Sequence, residues 1–457
     1  MITDELARKL RVLVGEDHYL DSVEDRINYS YDSSIDEAMP EAVVLPETTE
    51  QTAEIVRLAA AAGVPVTPRG AGTNLSGGTV PLHGGIVLVL TRMKRIIELS
   101  RENRYAIVEA GLTNLELQNA VQKVGLFYPP DPASWAVSTI GGNVGENAGG
   151  PRGVKYGVTR DWILGLTVVL ADGSMVRTGG ITAKNVTGID LTSLFCGSEG
   201  LLGIVTEVTV KLLPIPPFKQ SIQAFFSELD GASRSVARII GSGIIPVALE
   251  LMDNVVINMV EDSKKIGLPR DARGMLLIMV DGPEEECRKQ GGMIAGICKD
   301  EGATSVSVAQ SAEEEDALWV ARRAAFGVMS QRLPNCVLED VTVPVSRLPE
   351  MIRGIMGIGE EYALTIGVMA HAGDGNTHPM IVTDKRDTEE WARVERAVSD
   401  IFRLAVDLGG TLSGEHGIGT SKTPFMHLIY GEPEFRLLRA LKQALDPKGI
   451  LNPGKIM

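Results

Sequence analysis

Three glycine-rich polar stretches, set among predicted strands and helices, constrain this chain more than any other feature. Fifty glycines occur in 457 residues, and they cluster between Gly70 and Gly203. Glycine tolerates backbone conformations and close approaches that other residues do not, so the clustering points to main chain lying against a large ligand. The first stretch, residues 68–78, reads Pro-Arg-Gly-Ala-Gly-Thr-Asn-Leu-Ser-Gly-Gly. It follows a strand predicted at 64–67. Before it come a strand at 42–45 closed by Pro46 and a helix opened by Thr48 with Gln51 in a capping box and stopped at Gly63. Strand, helix, strand at this spacing favours an α/β or α+β domain. The Rossmann dinucleotide fingerprint fails, because Leu75 stands where a third glycine belongs and 86–90 reads as a strand. What remains is a loop of small residues with free N–H groups and hydroxyls, suited to a pyrophosphate.

A strand at 106–109 and a helix with a Thr113–Glu116 capping box lead to the second stretch, 128–134 and 138–150. So long a polar segment is either disordered or wrapped on a ligand, and the hairpin predicted over 163–176 favours wrapping. The third stretch, 197–203, enters a strand over 204–212. Pro214, Pro216 and Pro217 then mark a boundary. Beyond it, strand 221–226, helix 234–240 and strand 247–252 form one unit; strand 274–280, a helix after Pro283 and strand 304–308 form another. This order resembles a ferredoxin-like sheet of the kind that caps a cofactor domain. A helix is predicted around 319–323 and another over 433–445.

The length implies at least two domains. A net charge of −15 argues against nucleic acid and against docking on anionic lipid by charge alone. The N-terminal residues are acidic at once and carry no apolar core of signal-peptide length, and the longest apolar run, 163–171, is too short to span a bilayer. Four scattered cysteines, Cys196, Cys287, Cys298 and Cys336, speak against a disulfide framework or a cysteine-ligated cluster, so a cytoplasmic location is expected.

Two of the six histidines, His371 and His378, bracket Ala-Gly-Asp-Gly-Asn-Thr and precede Pro379. Gly373, Gly375 and Pro379 exclude a regular helix, and the segment is predicted to be a tight loop. Taken alone, it reads either as a polar turn with incidental histidines or as a metal site needing a third ligand from elsewhere.

Residues 68–78, 129–134, 139–150, 155–161, 197–203, 371–379, 414–419 and 451–453, in this order, resemble the flavin-dependent D-2-hydroxyacid dehydrogenases. That family comprises the glycolate oxidase D-subunit and D-lactate dehydrogenase group of the vanillyl-alcohol-oxidase-type FAD superfamily. The resemblance implies an α+β fold: a two-subdomain FAD module over 1–215, a ferredoxin-like cap over 216–430, and a C-terminal helix and tail over 431–457 returning to the flavin. It implies FAD binding by Arg69, Gly70, Ala71, Gly72, Thr73, Asn74, Ser76 and Gly77 at the pyrophosphate. Pro130, Asp131, Ser138, Thr139, Gly141, Gly142 and Asn143 would line the ribityl and ring region. Ala148, Glu199, Gly203, Ile204, Val205 and Asn452 would complete the pocket. No histidine lies in the loop 68–78, so non-covalent FAD is expected.

The same resemblance adds Glu415 to His371 and His378 as ligands of one divalent metal, Zn, Mn or Fe. In the mechanism it implies, the metal polarises the substrate 2-hydroxyl, His416 takes the hydroxyl proton, and a hydride passes to flavin N5. Glu415 and His416, neighbours on a segment expected to be extended, should point apart. Arg322 aligns with the arginine that anchors the substrate carboxylate. Members acting on 2-hydroxyglutarate carry a lysine near the place of Leu338 and an asparagine at the place of Met380. The apolar residues here favour a short monocarboxylate, D-lactate or glycolate. Electron acceptors implied by the family are an electron-transfer flavoprotein or an iron–sulfur subunit, and a homodimer is compatible with it. A related transferase of the alkylglycerone-phosphate-synthase type is disfavoured, since no added basic cluster or membrane-binding segment is present.

Overall fold

A computed structural model describes residues 1–457, the side chain of Ala312 excepted. The chain divides into two compact units. The first comprises 1–150, 158–215 and 415–457; the second comprises 151–157 and 216–414. The tail therefore rejoins the first unit at Glu415, upstream of the expected break at 431. The backbone gives the reason: Ile418 N and Gly419 N donate to the Glu199 carboxylate at 2.6 and 2.8 Å, and Thr420 N donates to Ser76 O at 2.9 Å.

The first unit contains a four-stranded sheet in the order Tyr19–Leu20, Ala42–Val44, Ile86–Val89, Val66–Arg69. Strands Ala42–Val44 and Val66–Arg69 both pair in parallel with Ile86–Val89, and the helix Thr49–Ala62 makes the crossover. Thr48 caps that helix by accepting from Gln51 N at 3.1 Å, and Gly63 ends it in the left-handed conformation that a side chain would strain. An antiparallel five-stranded sheet follows, in the order Ile96–Ser100, Tyr105–Glu109, Ile204–Lys211, Ile163–Val169, Met175–Gly179. Leu88, Val169, Ile204 and Leu451, all fully or almost fully buried, belong to one apolar core. The terminal segment is built in: Asn452 N donates to Val66 O at 2.8 Å.

The second unit is built on an antiparallel sheet running Ala303–Val308, Phe218–Phe226, Gly274–Gly282, Ala248–Asp253, Ile366–His371, Asn376–Thr383, Asn335–Leu338. Numbered along the chain, its first four strands stand in the order 4-1-3-2, the ferredoxin-like arrangement. Helices Leu229–Gly241 and Glu284–Asp300 supply the two crossovers. The later strands extend that sheet, with Ile366–His371 added beside Ala248–Asp253.

Candidate active site

In the first unit the glycine-rich stretches converge. Gly197 N and Glu199 N donate to Val144 O and Gly145 O, both at 2.9 Å, which ties the third stretch to the second. The second stretch is not a loop throughout: Ile140–Glu146 is a short helix capped by Thr139, whose hydroxyl accepts from Gly142 N at 3.2 Å. Ser76 Oγ donates to the carbonyls of His416 and Gly417 at 3.1 Å, so the first stretch meets the returning tail. Asn452 Nδ2 donates to Gly78 O at 2.9 Å and to Glu199 O at 2.6 Å. Parts of all three glycine-rich stretches and of the C-terminal tail are thus joined within one unit.

The donors and acceptors there suit a polar cofactor. Ser138 Oγ, Asn143 Nδ2 and Asn452 Oδ1 are buried without a hydrogen-bond partner among the described residues. Such orphaned groups cost about 1–3 kcal/mol each when nothing satisfies them, which fits a cradle completed by a ligand. Individual residues take different parts. Arg69 is spent on the fold, with Nη1 donating to Tyr31 O at 2.7 Å and the guanidinium over the Tyr29 ring. Pro130 O accepts from Asn114 Nδ2 at 3.1 Å, and Ala148 O accepts from Thr159 Oγ1 at 2.7 Å. Ile204 and Val205 begin a core strand. Behind the cradle lies a pair of buried acids that sequence reasoning did not join. Burial, with Glu199 and Asp32 nearby, pushes the Glu146 carboxyl well above its usual range, and Asn74 Nδ2 donates to it.

Glu415 and His416 also belong to the first unit, and they do not point apart. His416 Nε2 stands 3.8 Å from Glu415 Oε1. The segment is irregular rather than extended, bent by Gly417 at φ 83°, so alternation of side chains fails.

The second unit holds the histidines, and here the predicted tight loop is corrected. His371 ends strand Ile366–His371 and His378 lies inside strand Asn376–Thr383; only residues 372–375 turn. Pro379 is accommodated within the strand, opposite Val368. In this register His371 faces Asn376 and His378 faces Met369, so the two imidazoles are diagonal neighbours on one face of the sheet. Their rings meet edge to face, centroids 4.9 Å apart, and both residues are buried.

The same face carries a carboxylate that sequence reasoning missed. Glu250 stands opposite His371 in the neighbouring strand and is 1% exposed. Its Oε1 lies 2.8 Å from His371 Nδ1, and its Oε2 accepts from Arg322 Nε at 2.6 Å. Burial pushes this carboxyl up, but His371 and Arg322 outweigh burial and hold it below the usual range. The only sequence signal was an acidic residue between Leu249 and Leu251 in an otherwise apolar strand. Arg322 lies on helix Ala312–Met329 and is largely buried, so it is not a surface arginine. Leu338 and Met380 are cross-strand partners, and Met380 shares the sheet face of His378.

The donor set fits a divalent metal: two buried imidazoles side by side on one sheet face, one of them with Nδ1 held by a carboxylate. Among the described residues no helix is long and apolar enough to cross a membrane.

The family profile for FAD linked oxidases, C-terminal domain, matches residues 215–456, and that for the FAD binding domain matches 40–179. Among curated relatives, the glycolate oxidase subunit GlcD of Bacillus subtilis is 46% identical over 457 residues, covering 100% of this chain and 97% of the relative. A D-lactate dehydrogenase of Anaerostipes hadrus is 34% identical over 467 residues, covering 99% and 95%. The solved 4-ethylphenol oxidase of Gulosibacter chungangensis, in its isoeugenol complex, superposes with a TM-score of 0.81 at 20% identity, covering 100% and 98%. That likeness gives the fold, the vanillyl-alcohol-oxidase type. The chain belongs to the FAD-linked oxidases, in the group of glycolate oxidase GlcD subunits and D-lactate dehydrogenases, and is an FAD-linked oxidoreductase.

Proposed function

We propose that this protein oxidises a short D-2-hydroxy acid, D-lactate or glycolate, to the 2-oxo acid. The observation that carries the reading is one sheet face bearing both a buried imidazole pair and an apolar pair. His371 and His378 lie beside Met380, which stands opposite Leu338. The first pair suits a hydroxyl-binding metal, and the second suits a substrate whose side chain is small.

FAD, held by the converging stretches of the first unit, would supply a two-electron acceptor when bound. A divalent ion, held by His371, His378 and Glu415, would supply Lewis-acid polarisation of the 2-hydroxyl and lower its pKa. Arg322 offers its terminal guanidinium nitrogens to the substrate carboxylate as a charge-assisted fork, since Glu250 occupies Nε. His416 accepts the hydroxyl proton at a ring nitrogen, with Glu415 beside it to stabilise the imidazolium. Leu338 and Met380 offer no partner to a second carboxylate, which disfavours 2-hydroxyglutarate. The relatives named as subunits support a second, compatible reading, in which the chain passes electrons to an electron-transfer flavoprotein or an iron–sulfur subunit.

The test is anaerobic bleaching of the flavin absorbance by glycolate, by each lactate enantiomer and by D-2-hydroxyglutarate. D-lactate or glycolate should bleach it fastest. Bleaching by none of them, with flavin and metal both bound, sinks the proposal, and bleaching by 2-hydroxyglutarate alone sinks the substrate choice.

A further inference from the structure

We infer that Glu250 is a positioning residue whose single carboxylate sets both His371 for metal binding and Arg322 for substrate binding. The inference rests on the metal reading above.

A carboxylate in the middle of Ala248-Leu249-Glu250-Leu251-Met252, 1% exposed, is costly to keep. Stability does not account for it, because an apolar pair of similar volume packs a core as well as a buried ion pair does. What the carboxylate provides is orientation. As an acceptor it requires the proton of His371 on Nδ1, 2.8 Å from Oε1 and 3.0 Å from Oε2, which puts the ring lone pair on Nε2, the tautomer a metal ligand needs. Cross-strand pairing of Glu250 with His371 fixes the distance over which this bond acts. On its other side Glu250 takes Arg322 Nε at 2.6 Å, so the planar guanidinium cannot swing and its two terminal nitrogens are presented together. Helix Ala312–Met329 is itself pinned to this sheet by Trp319 Nε1 donating to Ser221 Oγ at 2.9 Å. One residue therefore links the affinity for the metal to the affinity for the substrate carboxylate, although it touches neither.

The experiment uses full-length, FAD-loaded protein stripped of metal with EDTA and titrated with Mn2+, free Mn2+ being read by electron paramagnetic resonance. Glu250→Gln retains the size of the side chain but offers one acceptor instead of two. It should weaken Mn2+ binding roughly 10- to 100-fold, the range for removing such an orienting partner. Glu250→Asp, which retains the charge, should recover part of the loss. The Michaelis constant for D-lactate at saturating Mn2+ should rise by a larger factor than kcat falls. In 15N-histidine spectra of the metal-free wild type, the His371 signals, identified by their loss in His371→Ala, should show the Nδ1–H tautomer. Binding of Mn2+ by Glu250→Gln within threefold of wild type overturns the inference. So does an Nε2–H tautomer in the wild type, which decides the matter even if Glu250→Gln fails to fold. If His371→Ala and His378→Ala also bind Mn2+ normally, the metal reading itself has failed. If those two lose Mn2+ and Glu250→Gln does not, only the role of Glu250 has failed.

Discussion

Leu338 and Met380 face each other directly across the antiparallel pair formed by Asn335–Leu338 and Asn376–Thr383. Two positions 42 residues apart in sequence (380 − 338) are therefore one feature of the sheet, and they should be altered together. In Leu338→Lys/Met380→Asn, the ratio of kcat/KM for D-2-hydroxyglutarate to that for D-lactate should rise about tenfold or more, equivalent to about 1.4 kcal/mol. Met380→Asn alone leaves a buried amide without its partner and should cost about 1–3 kcal/mol in urea unfolding. An unchanged ratio in the double variant removes the pair from any role in specificity.

The histidine pair and the flavin cradle belong to different units, so they should be separable by mutation. His378→Ala should lose bound metal and reduce turnover roughly 1000-fold, as several kcal/mol of charge stabilisation disappears. Its FAD content should remain stoichiometric by absorbance. Loss of FAD as well would mean that the hairpin supports the fold rather than the chemistry.

Residues 68–78 contain no histidine, and the nearest in sequence, His83, is exposed. Acid precipitation should therefore leave yellow flavin in the supernatant and a colourless pellet. Flavin fluorescence on the denatured polypeptide in a gel would contradict non-covalent binding.

Lys455 gives a dependence on pH with a definite sign. Burial lowers its pKa from 10.5 to about 8, against the pull of Glu199 and other acids, and Nζ donates to Val80 O at 2.6 Å. Because the folded value lies below the unfolded one, the unfolded chain holds more protons between pH 8 and 10.5, and stability from this group rises over that window. The full difference is about 3 kcal/mol at 1.36 kcal/mol per unit. Urea midpoints of wild type and Lys455→Met at pH 7, 8, 9 and 10 should diverge accordingly, the wild type gaining on the variant as pH rises. Parallel curves would show that Lys455 titrates normally.

Much of this was legible because local chemistry and global fold agree. The Thr113 capping box opens helix Asn114–Gln122 as its residues require, and the strand and helix order of 218–308 yields the ferredoxin-like sheet. The histidine segment misled because Gly373, Gly375 and Pro379 resemble a loop, whereas antiparallel pairing absorbs the proline and needs only a four-residue turn. Glu250 was illegible for a different reason. Its partners lie 72 and 121 residues away, and nothing in its own strand distinguishes a ligand-orienting acid from an incidental one. Likewise, only the fold reveals that residues 151–157 leave the first unit to join the second, where Tyr156 Oη donates to Asp281 Oδ2 at 2.7 Å.

The hydrogen bond from Asn452 N to Val66 O bears on how the protein is made. Residues 446–455 close a unit whose first strands are synthesised nearly 400 residues earlier. A nascent chain must therefore carry the flavin unit open, with Asn452 and Lys455 still to come, throughout the translation of residues 216–414. The second unit, continuous apart from seven residues already made, has its whole sequence available first, so its folding need not wait for the C-terminus, whereas closure of the first unit does.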